Sequence, residues 1–150
     1  MTLRIREMTE TDVDSVCQIE QDTFSMPWQR QDFLDMIERD SLLYLVAEFD
    51  NMIIGGCGFR MIVGEGEITN VAIRQDYRNR GYGSLLLKEL INKGNEMGVA
   101  AFTLEVRCSN FSAIHVYEKL GFKAEGVRRD FYEKPCEDAV IMWRRQQEME

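Results

Sequence analysis

The chain is poor in the residues that build metal centres and cross-linked scaffolds. It has one histidine, His115, and four scattered cysteines (Cys17, Cys57, Cys108 and Cys136) with no C-x-x-C pair. That inventory argues against a zinc site or a disulfide framework, and reduced thiols suit the cytoplasm. No apolar run approaches the length of a membrane span, and the opening M-T-L-R-I-R-E has no apolar signal-peptide core. The expectation is therefore a cytoplasmic protein without membrane contact. Positive charge is in deficit, 18 basic against 26 acidic residues for a net −8. A nucleic-acid backbone asks for a basic footprint, so no direct nucleic-acid partner is expected. Acidity suits either a cationic partner or simple solubility. Prolines number two, and no linker, repeat or low-complexity stretch interrupts the 150 residues. One domain over 1–150 is expected, long enough to bury a core, with the tail 144–150 frayed.

What the chain does have is concentrated between Ile68 and Leu87. The stretch begins as a β-branched alternating strand and ends as an amphipathic helix start, with Leu85, Leu86 and Leu87 leading into Leu90 and Ile91. Between them lies R-x-x-G-x-G, Arg78 to Gly83, flanked by Arg74 and Arg80. Gly81 and Gly83 let the backbone approach a ligand, and the first helical turn points unpaired N–H groups at it. The helix dipole adds positive potential, so a pyrophosphate is the natural guest; the competing reading is a solvated basic connection. Two familiar phosphate loops are excluded. No Lys-Ser or Lys-Thr follows a glycine, as a P-loop requires, and Leu86 stands where the dinucleotide fingerprint needs its third glycine.

Taken in order, Leu3 and Ile5 read as a first strand, and Thr9 or Thr11 as the cap of a helix through Val13, Val16 and Ile19. F-S-M-P-W follows at Phe24 to Trp28, and Ser25 or Pro27 is expected to start a second helix. Leu42 to Phe49 and Met52 to Val63 read as a hairpin about Asp50-Asn51, with Gly55, Gly56 and Gly58 marking close approach or a bend. A central strand is expected from Glu65 to Ile73, then a helix from Gly81 to Met97 ended by Gly98. Ala100 to Arg107 reads as a strand, Asn110 or Ser112 as the cap of a helix to Leu120, and Phe122 to Arg128 as a strand. A loop from Phe131 to Pro135 and a last strand from Ala139 to Trp143 complete it. The order β-α-α-β-β-β-α-β-α-β-β describes an α+β fold, a mixed sheet of about seven strands with helices on both faces.

In F-T-L-E-V-R, Phe102, Leu104 and Val106 face one side and Thr103, Glu105 and Arg107 the other. A mid-sheet carboxylate is costly to bury unless paired or raised in pKa, so Glu105 is either salt-bridged structure or a working base. Tyr117 shares a helix face with Ala113 and Leu120, as a core aromatic or, beside a thioester, a proton donor.

Five segments together carry a resemblance: F-S-M-P-W, G-E-G-E-I-T-N-V-A-I (Gly64 to Ile73), L-E-V-R-C-S-N (Leu104 to Asn110), A-I-H-V-Y-E-K-L-G-F (Ala113 to Phe122) and E-D-A-V-I-M (Glu137 to Met142). With R-N-R-G-Y-G they span about residues 3 to 143, and the chain resembles the GCN5-related N-acetyltransferases, GNAT. Within that family it is most similar to the branch acting on the alanine N-terminus of the eighteenth small-subunit ribosomal protein. The resemblance implies a mostly antiparallel sheet splayed into an acetyl-CoA cleft. It implies that Val71, Ala72 and Ile73 hold pantetheine through their backbone, with the Val71 N–H polarising the thioester carbonyl. Arg78, Asn79, Arg80, Gly81, Tyr82, Gly83 and Ser84 would cradle the pyrophosphate, and Asn110 would contact the cofactor. Glu105 becomes general base and Tyr117 general acid, with no metal. His115 has no family role and reads as a surface residue. Phe24, Trp28, Tyr132, Glu137 and Asp138, with Glu133, are candidate walls for a basic N-terminal peptide, although Phe24 and Trp28 also suit an ordinary core or staple.

Deprotonating an α-amine at pH 7 costs roughly 1 kcal/mol, against about 4.6 for a lysine, which suits a single carboxylate base. Direct attack needs no enzyme nucleophile, so Cys108 is read as a bystander, with an acyl-cysteine route as the alternative. Two other functions stay open: acetylation of a small amine or a lysine, and a non-catalytic coenzyme A-binding module associating weakly with a tRNA-modification complex.

Overall fold

The computed structural model describes residues 2–69 and 71–145. The strands are β1 (Leu3–Glu7), β2 (Leu42–Phe49), β3 (Met52–Ile62), β4 (Glu65–Ile68), β5 (Ala72–Ile73), β6 (Ala101–Arg107), β7 (Lys123–Tyr132) and β8 (Glu137–Arg145). The helices are α1 (Val13–Thr23), α2 (Arg30–Glu38), α3 (Tyr82–Glu96) and α4 (Phe111–Lys119). The eight strands form one sheet in the order β1-β2-β3-β4-β6-β8-β7, with β5 paired to β3. Among the described residues only β4 and β6 run parallel; the other pairings are antiparallel. The expected α+β architecture with a mostly antiparallel mixed sheet is therefore the observed one.

Alternation along β2 divides the core. Leu43, Leu45 and Ala47 join Phe59, Phe102 and the α3 leucines Leu86, Leu87 and Leu90 on one face, where α4 also packs through Ala113, Ile114 and Tyr117. Tyr44 and Val46 face the other way, onto Val13, Val16 and Ile19 of α1 and Phe33 and Met36 of α2. Burying such side chains contributes roughly 1.5–3 kcal/mol each. Helices thus cover both faces, as the two-sided strand pattern requires. Among the described residues, no helix is long and apolar enough to cross a membrane.

The Asp50-Asn51 turn has φ of 50° and 65°, the paired positive values of a tight hairpin. The glycines of β3 mark close approach: a Cβ on Gly58 would sit 2.4 Å from the Leu43 carbonyl oxygen, and one on Gly55 2.7 Å from that of Ala72. Gly98, at φ 89°, closes α3, with Val99 N–H donating back to Gly94 O at 2.9 Å in the manner of a Schellman motif.

Four sequence expectations are corrected. The central strand does not run unbroken from Glu65 to Ile73: β4 stops at Ile68 and β5 begins at Ala72. There the Gly58 N–H donates to Thr69 Oγ1 at 2.9 Å, so a side chain replaces a ladder partner. The second helix starts at Arg30, not near Ser25 or Pro27, because Asp32 accepts the Gln29 N–H at 2.9 Å and closes the first turn. Phe131 and Tyr132 belong to β7 rather than to a loop, reached through an irregular register between Arg128 and Tyr132 with Asp130 at φ 53°. Arg144 and Arg145 end β8 instead of fraying. The rest of the expected frayed tail, 146–150, lies outside the described residues, as does Asn70.

Candidate active site

Strands β4 and β6 pair only at Glu65 with Ala101, Gly66 with Phe102, and Glu67 with Thr103. Beyond that point β5 turns to β3, at Gly55 and Gly56, while β6 continues beside β8. The sheet opens into a gap flanked by Val71, Ala72 and Ile73 on one side and by Leu104 to Arg107 on the other.

The loop leading from β5 to α3 is shaped by two left-handed residues, Asn79 at φ 64° and Gly81 at φ 81°. Gly81 is the N-cap of α3, and among the described residues no side chain caps that helix. A run of main-chain N–H groups in this conformation, at the positive end of a helix of 15 residues, favours an anion. Gly83 lies against Ile73 and Val71, whose side-chain carbons would stand 3.7 and 3.9 Å from a Cβ there. Tyr82 packs with Tyr77 and Phe49, ring centroids 6.4 and 6.3 Å away, which pins the start of the helix. The gap and the loop fit an elongated ligand with an anionic end.

The two loop arginines, expected at the pyrophosphate, have these protein contacts. Arg78 donates from Nε to Ile73 O at 2.9 Å and from Nη2 to Thr23 Oγ1 at 3.2 Å, fastening the loop to β5 and α1. Arg80 lies over the Tyr77 ring, 5.4 Å from its centroid, and Ser84 follows in the first turn of α3.

Glu105 stands two residues past the last β4–β6 pair. Its Oε2 is buried and accepts no hydrogen bond among the described residues, while the Arg128 Nε lies 3.2 Å away at ion-pair distance. Desolvation raises the Glu105 pKa; Arg128 opposes that shift and Glu67 adds to it. Burial also pushes the Tyr117 hydroxyl well above its usual value, with smaller contributions from Cys57 and Tyr132, and its ring packs 6.0 Å from that of Phe122. Tyr132 is pushed up to about 12, first by burial and then by Glu105. Tyr132 therefore stands within electrostatic range of both Glu105 and Tyr117, an association that strand and helix periodicity did not reveal.

Asn110 Oδ1 accepts the Ala113 N–H at 3.2 Å and so caps α4, at the end of the gap. His115 is exposed on α4. Glu137 and Asp138, expected as peptide-facing walls, are occupied internally. Glu137 accepts the Ser109 N–H at 2.7 Å and an Arg107 N–H at 3.2 Å, and its pKa falls to about 2 through Ser109 chiefly. Asp138 accepts the Asp130 N–H at 2.9 Å and supports the irregular part of β7. Phe24 and Trp28 pack against the α1–α2 core, Trp28 with its ring centroid 5.2 Å from that of Phe33. The exposed thiol of Cys108 is raised in pKa, mainly by Glu137, whose Oε2 is 3.4 Å from its Sγ.

Comparison with known proteins agrees with this layout. The family described as "Acetyltransferase (GNAT) family" matches residues 13–122. The [ribosomal protein bS18]-alanine N-acetyltransferase of Haemophilus influenzae is 36% identical over 143 residues, covering 92% of this chain and 95% of its own. Its namesake from Salmonella typhimurium is 34% identical over 137 residues, covering 90% and 92%. The crystal structure of the ribosomal-protein-S18-alanine N-acetyltransferase from Escherichia coli superposes with a TM-score of 0.90 at 30% identity, covering 99% of this chain and 97% of that one.

Proposed function

The chain belongs to the acetyltransferase (GNAT) family and is an N-acetyltransferase, and on that premise we propose that it transfers acetyl from acetyl-CoA to the N-terminal alanine of ribosomal protein bS18, as RimI-type enzymes do. The observation that chiefly supports the reading is the opening of the sheet after Glu67 and Thr103, with a buried carboxylate oxygen two residues further along whose neighbour is Arg128 at ion-pair distance, 3.2 Å. Residues 1–150 would act as one cytoplasmic acetyltransferase domain.

Acetyl-CoA supplies the activated acyl group. The main chain of Val71, Ala72 and Ile73, at the edge of the gap, would hold the pantetheine arm, with the Val71 N–H toward the thioester carbonyl. The N–H groups of Asn79, Arg80, Gly81, Tyr82, Gly83 and Ser84 would hold the diphosphate, while the Arg78 side chain keeps the loop in shape. Asn110, one carbonyl oxygen committed to its cap, keeps its amide nitrogen for the cofactor.

Glu105 takes the proton of the incoming amine. Its raised pKa brings it nearer to that of an α-ammonium and makes it a better base than a solvated carboxylate. Tyr117 stays protonated at neutral pH and donates to the departing sulfur. Glu137 holds Cys108 in its thiol form, so direct transfer is favoured over an acyl-cysteine route. The net charge of −8 suits a basic acceptor peptide, with Phe24, Trp28 and Tyr132 lining its approach and Glu137 and Asp138 shaping those walls from behind.

The test is mass spectrometry of ribosomal-protein N-termini in cells with and without this protein, beside an in vitro panel of N-terminal peptides, lysine peptides and small amines. Loss of one alanine N-terminal acetyl group, with matching peptide turnover, upholds the reading. Turnover confined to lysines or small amines overturns the acceptor assignment. Acetyl-CoA binding with no turnover on any amine overturns the enzymatic one.

A further inference from the structure

Arg107 leaves β6 two residues past Glu105, on the same face. Its guanidinium then bonds to two stretches far apart in sequence. Nη2 donates to Ser25 Oγ at 3.3 Å, in the connection between α1 and α2, and to Glu133 O at 3.1 Å, between β7 and β8. Nη1 donates to Pro135 O at 2.9 Å and to Glu137 Oε1 at 3.2 Å. The guanidinium carbon lies 4.4 Å from the centre of the Tyr132 ring. The two stretches also touch each other, through Ser25 Oγ donating to Glu133 O at 3.5 Å and the Glu133 N–H directed at Met26 Sδ at 3.3 Å.

We infer that Arg107 is a positioning residue that latches these two segments into one wall of the acceptor mouth and holds the Tyr132 ring in that wall. The inference rests on the proposed reading that the mouth beside Glu105 admits the acceptor amine. Ser25, Met26, Glu133 and Cys136 are exposed, and the Arg107 contacts named above lie outside both hydrophobic clusters. Removing the side chain therefore frees the mouth while leaving the core intact. Four acceptors and an aromatic face need a planar fork with several donors; a lysine ammonium offers three donors at one point and cannot span them.

The experiment compares wild type, Arg107→Lys and Arg107→Met by steady-state kinetics on a basic alanine-initiated peptide, acetyl-CoA calorimetry and hydrogen–deuterium exchange. In Arg107→Met the peptide KM is expected to rise about tenfold, the effect of losing roughly 1.4 kcal/mol of binding. Acetyl-CoA affinity stays within about twofold, well under that step. Arg107→Lys fails to restore the wild-type KM, and amides in 24–28 and 132–136 exchange faster together. An unchanged peptide KM, full rescue by lysine, exchange rising in one segment alone, or an equal loss of acetyl-CoA affinity would each overturn the latch. Should wild type prove inactive on every peptide, the acceptor assignment falls, while coupled exchange in the two segments still decides whether the latch exists.

Discussion

The two sides of the gap are built from different materials. On the β5–α3 side the proposed binding groups are main-chain N–H, held by Gly81 at φ 81° and by Arg78 bonded to Ile73 O and Thr23 Oγ1. On the β6–β7–β8 side they are side chains: Glu105, Tyr132, Arg107 and Arg128. A backbone site tolerates side-chain change but not a change of φ. A side-chain site tolerates backbone variation but not loss of a functional group.

The sharpest test of that contrast is Glu105→Gln with Tyr117→Phe. Each should cut kcat by about 10²–10⁴-fold, the usual worth of general acid–base catalysis, while acetyl-CoA affinity measured by calorimetry stays unchanged. Gly81→Ala should do the reverse. Forcing a Cβ into the left-handed region costs about 1–2 kcal/mol, so acetyl-CoA affinity should fall roughly tenfold with little change in peptide KM.

Removing Arg128 probes the charge on the side-chain half. Arg128 opposes the desolvation that raises Glu105, so Arg128→Gln should move the acidic limb of the kcat/KM profile to higher pH. The same group predicts a stability effect. Because Glu105 binds its proton more tightly folded than unfolded, ionising it costs stability as pH rises through the raised pKa. Glu105→Gln should therefore raise Tm at pH 7 even as it removes activity; an unchanged or lower Tm would show that burial of this carboxylate is fully compensated. The smallest effect is expected for Cys108→Ser, which should leave kcat/KM near wild type in a peptide assay.

The contrast also explains what could be read from the residues in order. Arg78 to Gly83 is contiguous, and its glycines and helix start announce an anion site without any tertiary knowledge. The division of the core was equally visible in the alternation of β2 and of Phe102, Leu104 and Val106. The break between Ile68 and Ala72 was not, because the β-branched run reads as one strand and the Thr69 side chain's bond to the Gly58 N–H carries no signature in it. The role of Arg107 was hidden for a different reason. Its partners lie 82 and 26 residues away at Ser25 and Glu133, and the Glu133 and Pro135 partners are carbonyl oxygens that any residue would supply. The internal partners of Glu137 and Asp138, read from the sequence as candidate groove walls, were hidden in the same way, since the Ser109 and Asp130 N–H groups they accept carry no signature.

The parallel seam from Glu65 to Glu67 has a mechanical consequence. Three residue pairs are a short weld between two half-sheets, reinforced below by Phe59 against Phe102 with ring centroids 5.8 Å apart. A guest lodged beyond the weld would act as a rivet, carrying load between halves that share so short a seam. Heat resistance should then climb with nucleotide concentration as mass action dictates, and proteases should find the empty protein easier to open than the filled one.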